Sequence, residues 1–146
     1  MRRNLAIVMA LSVLAVGAVT LALAQVERFA PAEDVNLYLI TPAHGQVVTG
    51  PVVVRFGLRG MGIAPAGADF PNTGHLHLLI DLPLDEVDLA MPLPFTDQTR
   101  HLGGGQIEMT LDLAPGTYTL QALLADFRHI SFDPVVVSEP ITIHVR

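Results

Sequence analysis

The sequence predicts an all-β protein: an immunoglobulin-like antiparallel β-sandwich of about seven strands, preceded by a signal peptide. Three observations lead there. Short runs rich in valine, isoleucine, leucine and threonine recur along residues 35–146, each bounded by glycine or proline. Several of them alternate apolar and polar side chains with a period of two. No stretch of the same residues keeps apolar side chains at helical spacing for three turns without a proline or glycine interrupting it. The cysteine and tryptophan hallmark of true immunoglobulin domains is absent, so strand number and spacing alone carry the prediction.

The chain of 146 residues opens with Arg2 and Arg3, an apolar run from Leu5 to Ala24, and small residues at Ala22 and Ala24 before Gln25. A positive end, an apolar middle and a small-x-small exit describe a secretory signal peptide over residues 1–24. The run is also long enough to span a bilayer, so an uncleaved membrane anchor is the competing expectation. Both place the remainder outside the cytoplasm, in a periplasmic or extracellular location. Residues 25–34, polar and carrying Pro31, read as a linker, and residues 35–146 as the sandwich domain.

Within that domain Val35 to Ile40 is the first strand, and Thr41 to Gly45 is its turn, with Val47-Val48 a short strand beyond. Val52 to Leu58 places Val52, Val54, Phe56 and Leu58 on one face and Val53, Arg55 and Gly57 on the other. His75 to Asp81, Gln106 to Leu113 and Gly116 to Asp126 follow, the last with Tyr118, Leu120, Ala122 and Leu124 sharing a face. Pro134 to Val137 reads as an irregular edge, because proline cannot donate to a ladder, and Ile141 to Val145 as the final strand. Leu84 to Met91 is the best helical candidate, and it is short. Two connections, Gly60 to Gly74 and Leu82 to Gly105, exceed what a sandwich needs; loops of that length tend to carry function.

Composition then narrows the chemistry. There is no cysteine, and all eight basic residues are arginines. Disulfides, thiol nucleophiles, Schiff-base lysines and phosphate-loop lysines are excluded, which leaves oxygen and imidazole groups. Beyond residue 24, six arginines face fourteen acids, so no basic stripe exists to displace counterions and nucleic acid is not an expected partner. Ser131 and Ser138, the two serines there, lie in no Gly-x-Ser-x-Gly elbow.

The sharpest local feature is Gly74-His75-Leu76-His77-Leu78-Leu79-Ile80-Asp81. On a strand Leu76, Leu78 and Ile80 turn to the core, while His75, His77 and Asp81 share the opposite face. Two histidines at i and i+2 stand about 6.6–6.8 Å apart at Cα, within reach of one ion. Nitrogen and oxygen donors without sulfur suit copper or zinc. His101, before Gly103-Gly104-Gly105, and His129, three residues after Asp126, complete the set if the His75 and Gly116 strands end at one rim. Asp126 or Asp81 would then supply an oxygen ligand or orient a ring. The competing expectation is that these are surface histidines. His44 and His144 read as structural or solvent residues, Arg55 as the partner of a surface carboxylate, and Asp81, Asp85, Glu86 and Asp88 as a solvated acidic loop without a calcium pattern.

The segments Arg55-Phe56-Gly57-Leu58, Gly60 to Gly67, Asn72 to Asp81, His101 to Gln106, Pro115 to Leu120 and Asp126 to His129 together resemble an exported bacterial family, domain of unknown function four-three-nine-nine, over most of residues 38–145. The resemblance implies export and a sandwich-like domain, and it supplies no activity. Members show a glycine followed by three histidines; here Leu76 takes the middle place, which points to the opposite face of the strand. Phe127 and Phe132 stand where the family tends to carry further histidines, leaving His129 alone there.

The expectation is therefore an exported protein holding a copper or zinc ion on His75, His77, His101, His129 and Asp126, for binding, delivery or storage rather than catalysis. The alternative is a non-enzymatic adhesion or assembly module that contacts an envelope protein, with incidental histidines. The membrane enters only if the N-terminal segment stays uncleaved.

Overall fold

A computed structural model describes residues 26–146; the expected signal peptide lies outside the described residues. Nine strands form two facing sheets: β1 (Asn36–Thr41), β2 (Val47–Val48), β3 (Val52–Arg59), β4 (Gly62–Ile63), β5 (Thr73–Ile80), β6 (Thr99–Leu102), β7 (Glu108–Leu111), β8 (Gly116–Ala125) and β9 (Ile141–Val145). One sheet runs β1-β3-β7. The other runs β2-β9-β8-β5, with β4 and β6 sharing the far edge of β5. The long pairings are antiparallel; β2 with β9 and β4 with β5 are short parallel contacts.

The sandwich forms because alternation sends one face of each long strand inward. Val52, Val54 and Phe56 of β3 meet Leu76, Leu78 and Ile80 of β5 and Leu120, Ala122 and Leu124 of β8, in a core closed by Leu37, Leu111, Ile143 and Val145. These are the faces read from the sequence. Burying each leucine there contributes roughly 1.5–3 kcal/mol.

A second, smaller apolar layer lies on the outer side of the larger sheet. Leu93 packs with Leu123 and Ala125 of β8, and Leu84, Val87, Leu89, Val135 and Val137 pack around them. The connections 81–98 and 126–140 thus cover a sheet face that a two-layer sandwich would leave wet. The helical candidate Leu84 to Met91 is reduced to a single 3-10 turn, Leu84–Glu86, since Pro83 and Pro92 bound it and Val87 is already extended. The connection Leu82 to Gly105 is not all loop: it contains β6, whose Thr-Arg-His-Leu sequence shows no apolar alternation to betray it. The strand expected over Gln106 to Leu113 pairs only from Glu108 to Leu111.

Residues 26–34 form no strand but dock on the 127–133 turn. Arg28 donates from Nε to the Ser131 carbonyl (3.1 Å) and from Nη2 to that of Phe132, the Asp133 N–H donates to Phe29 O (2.9 Å), and Phe29 stacks on Phe127.

Candidate metal centre

β5 is the central support of the site. It lies between β8 and β6, and its outward side chains are His75, His77 and Leu79. The β5–β6 register sets His101 directly opposite His77 and Thr99 opposite Leu79. Directly opposed side chains on one face stand about 4.5–5.5 Å apart at Cβ, so the register alone brings His101 to the pair. On the other flank, Ala125 and Leu123 of β8 lie opposite His75 and His77, as an apolar wall.

His129 arrives by a different route. β8 ends at Ala125, and the chain doubles back through Asp126. The Asp126 carboxylate accepts the backbone N–H of Arg128 (2.8 Å) and of Ile130 (3.1 Å), and its carbonyl accepts that of His129 (2.9 Å). His129 takes a positive φ of 69°, which lays its ring back over the sheet.

The four imidazoles form one cluster. Ring centres of His75 lie 4.9 Å from His77, 4.9 Å from His101 and 4.7 Å from His129; His101 and His129 are 4.9 Å apart, His77 and His129 6.1 Å. One nitrogen each of His75, His77 and His101 falls within 4.8 Å of the others, and the Nε2 atoms of His75 and His77 are 3.0 Å apart. Two nitrogens on one tetrahedral zinc stand about 3.3 Å apart, given bonds of 2.0–2.1 Å.

His75 and His77 are both 0% exposed, so they are core residues and not the surface pair that the competing expectation described. Yet Nδ1 of each, and Nε2 of His101, are buried without any hydrogen-bond partner. Such orphaned groups are rare and costly in folded proteins. Burial, reinforced by the neighbouring imidazoles, lowers the pKa of His75 to about 4 and that of His77 to about 2; the Asp126 carboxylate opposes this at His75. Burial and His129 also lower His101. Near neutral pH these three are therefore uncharged, the form that offers a lone pair to a metal.

Asp126 stands beside the cluster rather than in it. Its Oδ2 accepts Nη2 (2.7 Å) and Nε (3.0 Å) of Arg128, and its Oδ1 is taken by the turn amides, so the carboxylate shapes the His129 turn. Asp81 does not join either: β5 stops at Ile80, Asp81 leaves the pleat with a φ of 50°, and its Oδ1 accepts the Thr119 N–H at 2.6 Å.

A model of the family Domain of unknown function (DUF4399) matches residues 54–146, a span that includes all four clustered histidines. The chain belongs to this family. No curated protein matches it. Among solved structures, the endo-beta-1,4-mannanase from Thermotoga petrophila is similar at 19% identity and a TM-score of 0.45, over 77% of this chain and 20% of that one. This chain thus spans about a fifth of the mannanase.

In this DUF4399 member the remaining readings fall as follows. Leu76 is a core residue, on the face of β5 opposite His75 and His77. Phe132 joins the same core, and Phe127 packs on Phe29. His44 accepts the Thr142 N–H (3.1 Å) and His144 meets the Thr117 hydroxyl (3.0 Å), six residues or about 20 Å along β8 from Leu123. Arg55 pairs with Glu108 at 2.5 Å on the exposed face.

Three further contributors surround the histidines, of which Phe95 carries no signal in the sequence. Phe95 sets its ring 4.7 Å from His101 and 5.4 Å from His129, on the solvent side. The long connection after β3 laces the two histidine loops together: Ala66 N–H donates to Gly103 O and Gly67 N–H to Phe127 O. Gly103 leaves room for the His101 ring, which a Cβ there would meet at 2.0 Å. Only the Gly103-Gly104-Gly105 run hinted at this, and it reads equally well as an ordinary turn.

Proposed function

We propose that this protein is exported and binds a single copper or zinc ion on His75, His77 and His101, with His129 completing or closing the coordination sphere. The observation that supports this most is the convergence of three neutral imidazoles within 4.8 Å, with buried ring nitrogens that nothing in the protein satisfies. An ion takes one lone pair from each ring, which suits neutral imidazoles buried side by side.

The role is to bind, carry or store the ion. In support, the two serines among the described residues have committed their hydroxyls to backbone carbonyls, Ser131 to Leu89 and Ser138 to Glu139, and the Asp126 carboxylate is held by Arg128. The histidines are provided by two strands and one braced turn, a rigid arrangement suited to holding an ion in fixed geometry.

Isothermal titration of the metal-stripped protein with zinc and with copper tests this, alongside His75→Ala and His77→Ala. One-to-one binding at micromolar affinity or tighter, lost in both variants, is expected. Binding that ignores both substitutions, or no binding, contradicts the proposal.

A further inference from the structure

The fourth imidazole is carried differently from the other three. His75, His77 and His101 project from paired strands, and one nitrogen of each lies within 4.8 Å of the others. His129 stands outside that tight group. Its ring centre is 4.7 Å from that of His75 but 6.1 Å from that of His77, the widest separation in the cluster. The backbone of the turn after β8 places this ring, and His129 there takes a φ of 69°. A residue with a Cβ resists that left-handed conformation and keeps it only where the surroundings hold the turn.

Part of that hold comes from residues 27–29, which lie in no strand. The Arg28 side chain, 19% exposed, donates from Nε to the Ser131 carbonyl at 3.1 Å and from Nη2 to that of Phe132. Its planar fork thereby fixes two successive carbonyls just beyond His129. The Asp133 N–H donates to Phe29 O at 2.9 Å. On the near side of His129, Phe29 stacks on Phe127, and the Arg128 guanidinium lies 4.3 Å from the Phe29 ring centre. The same guanidinium donates to the Glu27 carbonyl at 3.0 Å while it grips the Asp126 carboxylate. Both sides of His129 are thus tied to one short segment.

Two longer connections tie the turn as well, through Leu93 N–H to His129 O and Gly67 N–H to Phe127 O. Those connections run between strands of the sandwich, whereas residues 27–29 pair with none. A segment held in that way can detach while the sheets stay closed, because local opening costs less than unfolding.

We propose that residues 27–29 are a strap that holds His129 in the coordination sphere, so that release of the strap leaves a three-imidazole site and speeds loss of the ion. This deepens the metal-binding reading above and rests on it. Arg28 and Phe29 are positioning residues, acting through the turn that carries His129.

The test follows zinc as it passes from the loaded, purified protein to an excess of the chromogenic chelator pyridylazoresorcinol. Arg28→Ala and Phe29→Ala are measured alone and combined with His129→Ala, and Phe29→Tyr serves as the conservative variant. Each alanine substitution is expected to speed release about fivefold or more, with the doubles no faster than His129→Ala alone and Phe29→Tyr at the parent rate. Parent rates in both Arg28→Ala and Phe29→Ala overturn the strap. Equal acceleration by them in the His129→Ala background overturns it too, since that would be a general loosening of the fold. Loss of the β-sheet circular dichroism signal in both strap variants overturns the separation of strap from sandwich. A parent rate in His129→Ala overturns the proposal and leaves the three-histidine site standing. Parent protein that retains no zinc removes the metal reading itself, and the strap's role with it.

Discussion

β3 and β5 are both eight-residue strands at the middle of their sheets, and they differ in what covers them. β3 buries Val52, Val54 and Phe56 and leaves Val53, Arg55 and Arg59 in solvent. β5 is buried on both faces from Gly74 to Ile80, because Leu93 and the apolar side chains around it pack over the outer side of its sheet. On β3 a polar outward residue such as Arg55 is unremarkable, since it is solvated and pairs with Glu108. On β5 the equivalent positions hold histidines out of contact with water. Leu79, on the same face, shows the apolar solution that positions 75 and 77 do not adopt. Retaining unpartnered imidazole nitrogens there costs about 1–3 kcal/mol for each unsatisfied group.

This contrast can be broken first at the histidines. His77→Ala is expected to weaken zinc or copper binding by more than about 100-fold, beyond the 10–100-fold typical of outer-shell changes, whereas Arg55→Ala on β3 should leave it unaltered. Equal affinities in a metal titration would erase the distinction between the two faces.

Stability should run in opposite directions on the two faces of β5. Leu78→Ala, on the core side, should destabilise the metal-free protein by about 2–5 kcal/mol. Replacing the pair together, His75→Leu with His77→Leu, should raise its denaturation midpoint, because it removes two buried nitrogens with no partner along with the Nε2 atoms that meet only each other. A lower midpoint for the double variant would mean that the imidazoles contribute to the fold without metal.

A subtler change acts through space alone. Gly103→Ala places a methyl group where the His101 ring lies. It should weaken metal binding by roughly 10–100-fold without altering any ligand, measured in the same titration, while Gly67→Ala, in open space, should not. Gly67 does carry a positive φ, so its variant is compared for affinity and not for stability.

The pH dependence follows from the depressed histidines. In the unfolded chain a histidine takes up a proton near pH 6.5, whereas folded His75 and His77 resist protonation until about 4 and about 2. Below pH 6.5 the unfolded state therefore binds more protons, so the metal-free fold loses stability as pH falls from 6.5 toward 4. Denaturant midpoints at about pH 7.5 and pH 5 should differ, and the difference should shrink in His77→Leu. An undiminished difference would assign the acid sensitivity elsewhere.

The smallest effect belongs to the open face of β3. Arg55→Ala, which removes a half-exposed ion pair, should change stability by less than about 1 kcal/mol.

Much of this was legible in the sequence, for identifiable reasons. Alternation in Val52 to Leu58 and in Tyr118 to Leu124 fixed the core faces, because a period of two admits one assignment when one face is dry. His75 and His77 were legible as a pair for the same reason. Their burial was not, because it depends on residues 81–98 and 126–140, whose packing leaves no periodic signature. His101 is legible as a candidate but its strand is not, since β6 derives its strand character from pairing with β5 rather than from its own residue types. Asp126 reads from the sequence as an oxygen ligand or an orienter of a ring, and its actual partner, Arg128 two residues on, emerges only with the turn geometry.

X-ray absorption at the metal edge of the zinc- or copper-loaded protein tests the central claim most directly. The account predicts three or four nitrogen donors at about 2.0–2.1 Å with imidazole scattering, and loss of one imidazole in His101→Ala. A shell dominated by oxygen without imidazole scattering, or one unchanged in His101→Ala, would contradict it.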